Sequence, residues 1–170
     1  MRPTLYTIGY EGSSIGQFLD TLVACGVEQV LDIRDVPVSR KPGFSKSSLM
    51  AALDARDIGY CHLKALGDPK PGREAMRRGD YSAFVEIFTD HLATDAAQDA
   101  LRNAIERAST HISVLLCFER SPKECHRTIV AGEMKGAAGF EIRNIGVNAY
   151  PEPADPVRVS KEMAEPTQYC

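Results

Sequence analysis

Several features that would assign a protein to a class at once are missing from this sequence. No stretch approaches the roughly 20 consecutive apolar residues that a membrane-spanning helix needs. The first ten residues, MRPTLYTIGY, hold no apolar run of the kind found in secretory signals. The cysteines form no CxxC pair and no even-numbered framework; they are Cys25, Cys61, Cys117, Cys125 and Cys170. These absences argue against a membrane protein and against a disulfide-stapled secreted protein, so we expect a reducing cytoplasm.

The chain also has little net charge. Its formal charge is −3 and its isoelectric point is about 5.8. Proteins that bind nucleic acid over a broad surface are usually strongly basic. A nucleic-acid role would therefore depend on a local group of basic side chains.

The size and composition fit one domain. A chain of 170 residues with 44% hydrophobic content is large enough to bury a core without disulfides or a structural metal. We predict a single α/β domain over residues 1–149. Residues 150–170 hold four of the ten prolines and show no periodicity, which predicts an extended or disordered tail.

Short apolar runs alternate with helical patterns along the domain. Apolar runs predict strands at 4–8, 28–33, 58–63, 112–118 and 140–145. Apolar spacing of three and four residues predicts helices at 14–25, 47–56, 81–92, 95–108 and 123–135. Strands joined by helices favour a mostly parallel sheet of about five strands with helices on both faces. The segment 64–80 is rich in glycine, proline and charge, and predicts either a mobile lid or a poorly ordered surface loop.

Polar side chains follow four of the predicted strands. The first strand is followed by Gly9, Tyr10, Glu11 and Gly12, the second by Arg34, Asp35, Arg40 and Lys41, the third by His62 and Lys64, and the fourth by Cys117, Glu119 and Arg120. The carboxyl ends of parallel strands meet at one edge, where ligands bind in open α/β sheets. A plainer interpretation stays open for each: an ion pair between Arg34 and Asp35, a packing role for His62, and a tight turn at the glycines.

The triplet Cys125, His126 and Arg127 is predicted to lie in the first turn of a helix. A thiol there should have a lowered pKa if it faces the free backbone amides. His126 could relay a proton, and Arg127 could hold a phosphate or carboxylate. Alternatively, Cys125 is an inert packing residue and Arg127 pairs with Glu119. Cys117 could be a chemical group or a core residue, and Glu119 an acid/base group or the organiser of an ion pair.

A metal site is the less favoured interpretation of the same residues. Cys117, Cys125 and His126, with Cys61 or His62, would supply soft ligands. However, the spacing C-x7-C-H is not a recognised zinc pattern, and adjacent cysteine and histidine side chains splay apart in a helix. We therefore expect no metal and no cofactor.

Five stretches stand out in this order along the chain: TIGYEG, LDIRDVPVSR, FSK, YCHLKALG and LLCFERSPKECHRTIVA. Together they resemble the motifs of the DUF488 family of uncharacterised bacterial and archaeal proteins, and the resemblance extends over about residues 4–146. The resemblance implies that the family's motif positions here are Tyr10, Arg34, Pro37, Arg40, Phe44, His62, Leu66, Gly67, Glu119, Cys125, His126 and Arg127. A more distant likeness is to rhodaneses and cysteine phosphatases, which place a cysteine at a strand end before an anion-binding loop. Their loops are shorter than the nine residues that separate Cys117 from Arg127.

Two functions remain open. The first is a small enzyme that acts on an anionic substrate such as a phosphate, a nucleotide or a nucleic-acid end. Its catalytic residues would be Cys125, His126, Glu119 and Cys117, and its anion site would hold Arg34, Arg40, Arg127, Tyr10 and His62. The second is a binding module for nucleotide or nucleic acid without turnover, which would use the same basic residues with Lys41 and Lys46 and the ring faces of Tyr10 and Phe44. We expect no membrane partner.

Overall fold

Five parallel strands form one sheet in the part of the chain that the computed structural model describes, residues 2–147. The predicted tail at 150–170 lies outside these residues. The strands are β1 (Thr4–Gly9), β2 (Gln29–Asp32), β3 (Gly59–His62), β4 (Ser113–Cys117) and β5 (Glu141–Ile145). The helices are α1 (Ile15–Ala24), α2 (Lys46–Asp54), α3 (Lys70–Arg77), α4 (Tyr81–Leu92), α5 (Asp95–Thr110) and α6 (His126–Ala138). The predicted α/β class is confirmed.

Helices cover both faces of the sheet and create two hydrophobic cores. Successive side chains of a strand point to opposite faces, and both faces of a parallel sheet are normally buried. One core joins strand residues such as Leu31 and Leu115 to α3, α4, α5 and α6. The other joins Val30, Val114 and Leu116 to α1 and α2. This two-sided burial explains why the strands are short, continuous apolar runs in the sequence.

The strand order β3-β2-β4-β1-β5 determines where a site can form. The connection from β1 passes over β4 to reach β2, whereas the connection from β4 passes over β1 to reach β5. The two connections run in opposite directions, and α1 and α6 pack on opposite faces. Two neighbouring strands whose connections leave in opposite directions define a switch point. A crevice can open beyond the carboxyl ends of these two strands. Here the switch point lies between Gly9 and Cys117, which are paired in register.

The segment 64–80 is not the irregular loop that its composition predicts, whereas its role as a mobile lid stays a prediction. It forms a 3₁₀ turn, Lys64–Leu66, and then α3. Pro71 is accommodated because the first turn of a helix needs no hydrogen bond from that nitrogen. Gly72 allows the turn to close, since a Cβ there would lie 2.0 Å from Asp68 Oδ1. Arg73 then anchors the helix to the end of β2 through an ion pair of 2.7 Å with Asp35.

No helix within residues 2–147 is long and apolar enough to cross a membrane.

Candidate functional site

The site begins where β4 ends. Cys117 is the last residue of this central strand, and its side chain is only 3% exposed. Its thiol donates a hydrogen bond of 2.7 Å to Glu119 Oε2. Glu119 is half-buried, so its carboxylate lies between the sulfur and the surface.

His126 faces the same thiol from the first position of α6. Its Nε2 lies 2.9 Å from the carbonyl oxygen of Ile33, and a carbonyl can only accept, so Nε2 carries the proton. In the neutral ring, Nδ1 is then a free acceptor. Nδ1 lies 3.6 Å from Cys117 Sγ and 3.9 Å from Cys125 Sγ. The edge-on ring of Phe88, with centroids 5.3 Å apart, supports the imidazole from the side.

Cys125 does not lie inside the helix as the sequence predicted. A 3₁₀ turn, Pro122–Glu124, precedes it, and Cys125 is the N-cap of α6 with φ −135° and ψ 138°. This extended backbone turns the cysteine side chain toward the histidine that follows. The objection that adjacent Cys and His side chains splay apart applies only to helical residues and is therefore wrong here.

Four predicted catalytic residues thus converge in space. One atom from each side chain lies within 4.8 Å of the other three; these atoms are Cys117 Sγ, Cys125 Sγ, His126 Nδ1 and a Glu119 carboxylate oxygen. We call these four side chains the thiol–imidazole cluster. Their convergence across the β4 end, the following loop and the start of α6 explains why reactive residue types are dense in this part of the sequence.

Burial, rather than the helix amides, dominates the charge state of the two thiols. It raises the pKa of Cys117, and it raises the pKa of Cys125 well above the usual value, with the neighbouring Cys117 as a second cause. The lowered pKa, predicted for a Cys125 thiol exposed to the helix amides, is not found because the thiol is buried. For His126, burial acts to lower the pKa, but the adjacent Cys125 raises it on balance.

Arg127 holds the loop that carries Glu119. Its side chain is 1% exposed. Nη1 donates to the backbone carbonyl of Glu119, Nη2 donates to that of Arg120 at 3.1 Å, and Nε donates to Thr7 Oγ1 at 3.2 Å. Arg127 therefore fixes the loop through the backbone of Glu119, whereas the sequence suggested a pair with the carboxylate.

Arg34 pairs with Asp32 instead of the predicted Asp35. Asp32 is the last residue of β2, and Arg34 lies two residues beyond it, with its backbone N–H donating to Asp32 Oδ1 at 3.1 Å. Asp32 is fully buried, and its two oxygens accept from Arg34 Nε at 2.8 Å and Nη2 at 2.6 Å. Arg34 Nη1 also donates to Tyr10 Oη at 3.2 Å and to the carbonyl of Phe44 at 2.8 Å. Arg34 therefore ties the loops after β1 and β2 together.

The remaining residues of the predicted anion site differ in how far their side chains are exposed to solvent. Tyr10 is buried and stacks on Phe44 with centroids 4.3 Å apart, so the ring faces proposed for stacking on bases are covered. His62 Nε2 donates to the carbonyl of Arg34 at 2.8 Å. Arg40 is exposed, and within residues 2–147 it forms no ion pair. Arg40 is therefore the predicted anion-binding residue that is open to a ligand.

An open cavity of about 440 Å³ lies between the start of α4 and the 3₁₀ turn that leads into Cys125. Its lining residues are Met76, Gly79, Tyr81, Lys123 and Glu124. They include two residues of the segment 64–80 and none of the four residues of the thiol–imidazole cluster. The role of this segment as a lid over the site stays a prediction.

Asp68 is a buried carboxylate near the cluster that no sequence motif indicates. This residue is 8% exposed, and Oδ1 has no hydrogen-bond partner among residues 2–147. Burial raises its pKa to about 6, although the charges of His126 and Arg73 act in the opposite direction. An aspartate before a proline is ordinary in a surface turn, so residue type and spacing do not single out Asp68.

We expect Asp68→Asn to stabilise the protein in a pH-dependent way. Below about pH 4 the carboxyl is protonated in both states and the exchange should change little. As the pH rises to about 6, the unfolded chain loses the proton while the folded protein retains it, so the wild type loses stability. Above that pH the variant should be more stable by about 2–3 kcal/mol. Urea unfolding at pH 4 and pH 8 measures this, with the exposed Asp90→Asn as the control. If the unfolding free energies of Asp68→Asn and the wild type differ by the same amount at pH 4 and pH 8, the expectation is contradicted.

A family model described as a domain of unknown function, DUF488, matches residues 14–134. The chain belongs to the DUF488 family. The matched range contains all four residues of the thiol–imidazole cluster, together with Arg34, His62 and Arg127. The resemblance inferred from the motifs is therefore confirmed at the level of the family.

One curated relative is protein STU1 from Coccidioides immitis (strain RS). It is 29% identical to the chain over 84 residues, which cover 49% of this chain and 6% of that protein. The chain thus spans a small fraction of this relative's length. No solved structure matches the chain, so the likeness to rhodaneses and cysteine phosphatases stays a prediction.

Proposed function

We propose that this DUF488 protein is a cysteine-dependent enzyme that acts on an anionic substrate, such as a phosphate-bearing compound, a nucleotide or a nucleic-acid end. The observation that carries the proposal is the position of Cys117 Sγ, which faces His126 Nδ1 at 3.6 Å at the end of a central strand. A nucleophile beside a base that is itself oriented by a third group is the usual arrangement in covalent catalysis. Here the third group is the carbonyl of Ile33.

The groups of the cluster suggest a two-step reaction. Cys117 attacks the electrophilic atom of the substrate as its proton passes to His126 Nδ1, and the bond to the leaving group breaks. His126 then donates that proton to the leaving group. Water cleaves the sulfur adduct, with His126 again accepting a proton, and the thiol is restored. Glu119 covers the sulfur and must swing aside when substrate enters.

Exposed cations around the cluster would hold the anion. Arg40 follows β2, Arg120 lies in the loop after β4, and Lys123 lies two residues before Cys125. Arg34 and Arg127 are buried and already donate to protein acceptors, so we assign them to positioning the loops. His62 and Tyr10 support the same loops through Arg34.

A binding module without turnover is the second candidate. It is favoured by the burial of both thiols and by exposed apolar side chains close in sequence to the exposed cations. Val36 and Val38 lie near Arg40, and Phe118 lies near Arg120. Such a surface could hold an oligonucleotide through phosphate and ring contacts.

The test is turnover of anionic substrates by matched cysteine variants. The substrates are p-nitrophenyl phosphate, mononucleotides and 5′-phosphorylated oligonucleotides, assayed with metal-free protein. We expect Cys117→Ala to lower turnover by at least about 10³-fold, because the nucleophile is removed. Cys61→Ala is the control, since Cys61 is a free, half-buried thiol outside the cluster. Salt-sensitive oligonucleotide binding that is equal in the wild type and Cys117→Ala, without turnover, would instead indicate the binding module.

A further inference from the structure

The geometry points to a second property of the thiol–imidazole cluster: we propose that it binds one zinc-type divalent cation. The ligands would be Cys117 Sγ, Cys125 Sγ, His126 Nδ1 and a carboxylate oxygen of Glu119. Thiolate and imidazole ligands favour zinc among the common divalent cations, and four such donors form its usual tetrahedral shell.

The donor atoms already have nearly the required spacing. Zinc lies about 2.3 Å from sulfur and about 2.0–2.2 Å from nitrogen or oxygen, so donors at tetrahedral corners lie about 3.3–3.8 Å apart. His126 Nδ1 lies 3.6 Å from Cys117 Sγ and 3.9 Å from Cys125 Sγ. Glu119 Oε2 is closer to Cys117 Sγ, at 2.7 Å. Because Glu119 is half-buried at the surface of the cluster, its side chain can move outward by the small distance needed.

The surroundings of His126 match those of a ligating imidazole. Metal-binding histidines usually donate their second ring N–H to a carbonyl or carboxylate, which fixes the tautomer and the ring plane. Nε2 of His126 donates to the Ile33 carbonyl, so the lone pair of Nδ1 faces the two sulfurs. Phe88 packs against the ring and limits its rotation.

The local charge also balances with a cation in place. Two thiolates and one carboxylate carry three negative charges, and a divalent cation leaves a net charge of about −1. Arg127 is buried beside the cluster, and the acceptors of its hydrogen bonds within residues 2–147 are all uncharged. Its guanidinium would compensate the remaining charge, as buried charges require.

The metal site and the proposed enzyme use the same atoms but are independent claims. A cation bound to Cys117 Sγ and His126 Nδ1 occupies both the nucleophile and its base. The metal-loaded protein would therefore have unreactive thiols, and the metal-free protein would be the reactive form. Metal binding can be measured whether or not the protein turns over any substrate.

The experiment is titration of the reduced, metal-free, full-length protein with Co²⁺, followed by competition with Zn²⁺. Cobalt in a tetrahedral site with two thiolates should give intense visible bands and a sulfur-to-cobalt charge-transfer band at one equivalent, and Zn²⁺ should abolish them. We expect Cys117→Ala and Cys125→Ala each to remove about half of the charge-transfer intensity. Each should also weaken binding by at least about 100-fold, more than the loss typical of an outer-shell change.

Two further variants keep the proposal testable if a buried substitution prevents folding. Glu119→Gln changes a half-buried side chain. It should weaken Co²⁺ binding while leaving the intensity of the sulfur-to-cobalt charge-transfer band unchanged, since both thiolates remain. Cys61→Ala should leave the spectrum unchanged, since Cys61 lies outside the cluster. Weak octahedral bands without charge transfer, or a tetrahedral spectrum lost in Cys61→Ala but kept in Cys117→Ala and Cys125→Ala, would overturn the proposal. Either result would leave the catalytic role of Cys117 untouched.

Discussion

Exchanging Asp32 for asparagine should lower the free energy of unfolding by about 3–5 kcal/mol, because it leaves a buried guanidinium without its counter-ion. Asp32 is fully buried. It accepts two hydrogen bonds from the Arg34 side chain and one of 2.6 Å from Tyr60 Oη. An asparagine amide would direct N–H groups at one of these donors. Arg34 would then hold Tyr10 and the Phe44 carbonyl less firmly, so the loops after β1 and β2 should loosen as well.

The control for Asp32→Asn is Asp20→Asn. It breaks the exposed ion pair of 3.1 Å between Asp20 and Arg56, and such pairs contribute less than about 1 kcal/mol. Urea unfolding of both variants at neutral pH gives the comparison. A loss below about 1 kcal/mol for Asp32→Asn would mean that the Asp32–Arg34 pair contributes no more than a surface ion pair.

Gly9→Ala should destabilise the protein by about 3 kcal/mol and disturb the cluster at the same time. A Cβ at Gly9 would lie 1.8 Å from the backbone oxygen of Glu119, so either the end of β1 or the loop after Cys117 must move. Forcing an extra methyl group into tight packing typically costs about 1–3 kcal/mol, and more when backbone must shift. Because Glu119 covers the Cys117 thiol, we also expect faster labelling of Cys117 by thiol reagents in this variant.

Gly132→Ala is the matched control for Gly9→Ala. Gly132 lies in the middle of α6, and a Cβ there would meet nothing within 4 Å. Alanine is the better helix former, so this exchange should stabilise the protein by up to about 1 kcal/mol. The midpoints of thermal and urea unfolding should therefore fall below the wild-type values for Gly9→Ala and rise above them for Gly132→Ala. Unfolding midpoints for Gly9→Ala at or above those of the wild type would show that the loop over Gly9 yields without cost.

The fold could be predicted from the sequence because its strands and helices differ clearly in pattern. The strand predicted at 4–8 is β1, observed at Thr4–Gly9. The helix predicted at 81–92 is α4, observed at Tyr81–Leu92. The segment 64–80 was the exception. Its glycine and proline indicate a loop in isolation, whereas both fit the first turn of α3, where Pro71 needs no N–H and a Cβ at Gly72 would lie 2.0 Å from Asp68 Oδ1. The closeness of Asp68 to Gly72 depends on how the chain folds and cannot be read from residue types.

The position of the candidate site followed from the strand ends, but the contacts of its residues did not. Cys117, Glu119, Cys125 and His126 were singled out from the sequence, and the structure brings them together. The lowered pKa predicted for a Cys125 thiol that faces free amides is not found, because distant elements pack over Cys125 and bury it. The partner of Arg34 differs from the prediction because the chain after β2 brings Arg34 back onto Asp32 rather than onto the adjacent Asp35. Asp68 was missed because its burial arises from the tertiary packing of the segment 64–80.

The measurement that tests the central claim most directly is the labelling rate of Cys117 by iodoacetamide in the folded, metal-free protein, followed peptide by peptide with mass spectrometry. If Cys117 is a nucleophile served by His126, it should be labelled under native conditions far faster than the chain unfolds. His126→Asn should then slow its labelling by at least about tenfold while Cys61 reacts at an unchanged rate. If Cys117 is labelled only as the chain unfolds, in the wild type and in His126→Asn alike, the thiol is a packing residue and the enzymatic proposal is contradicted.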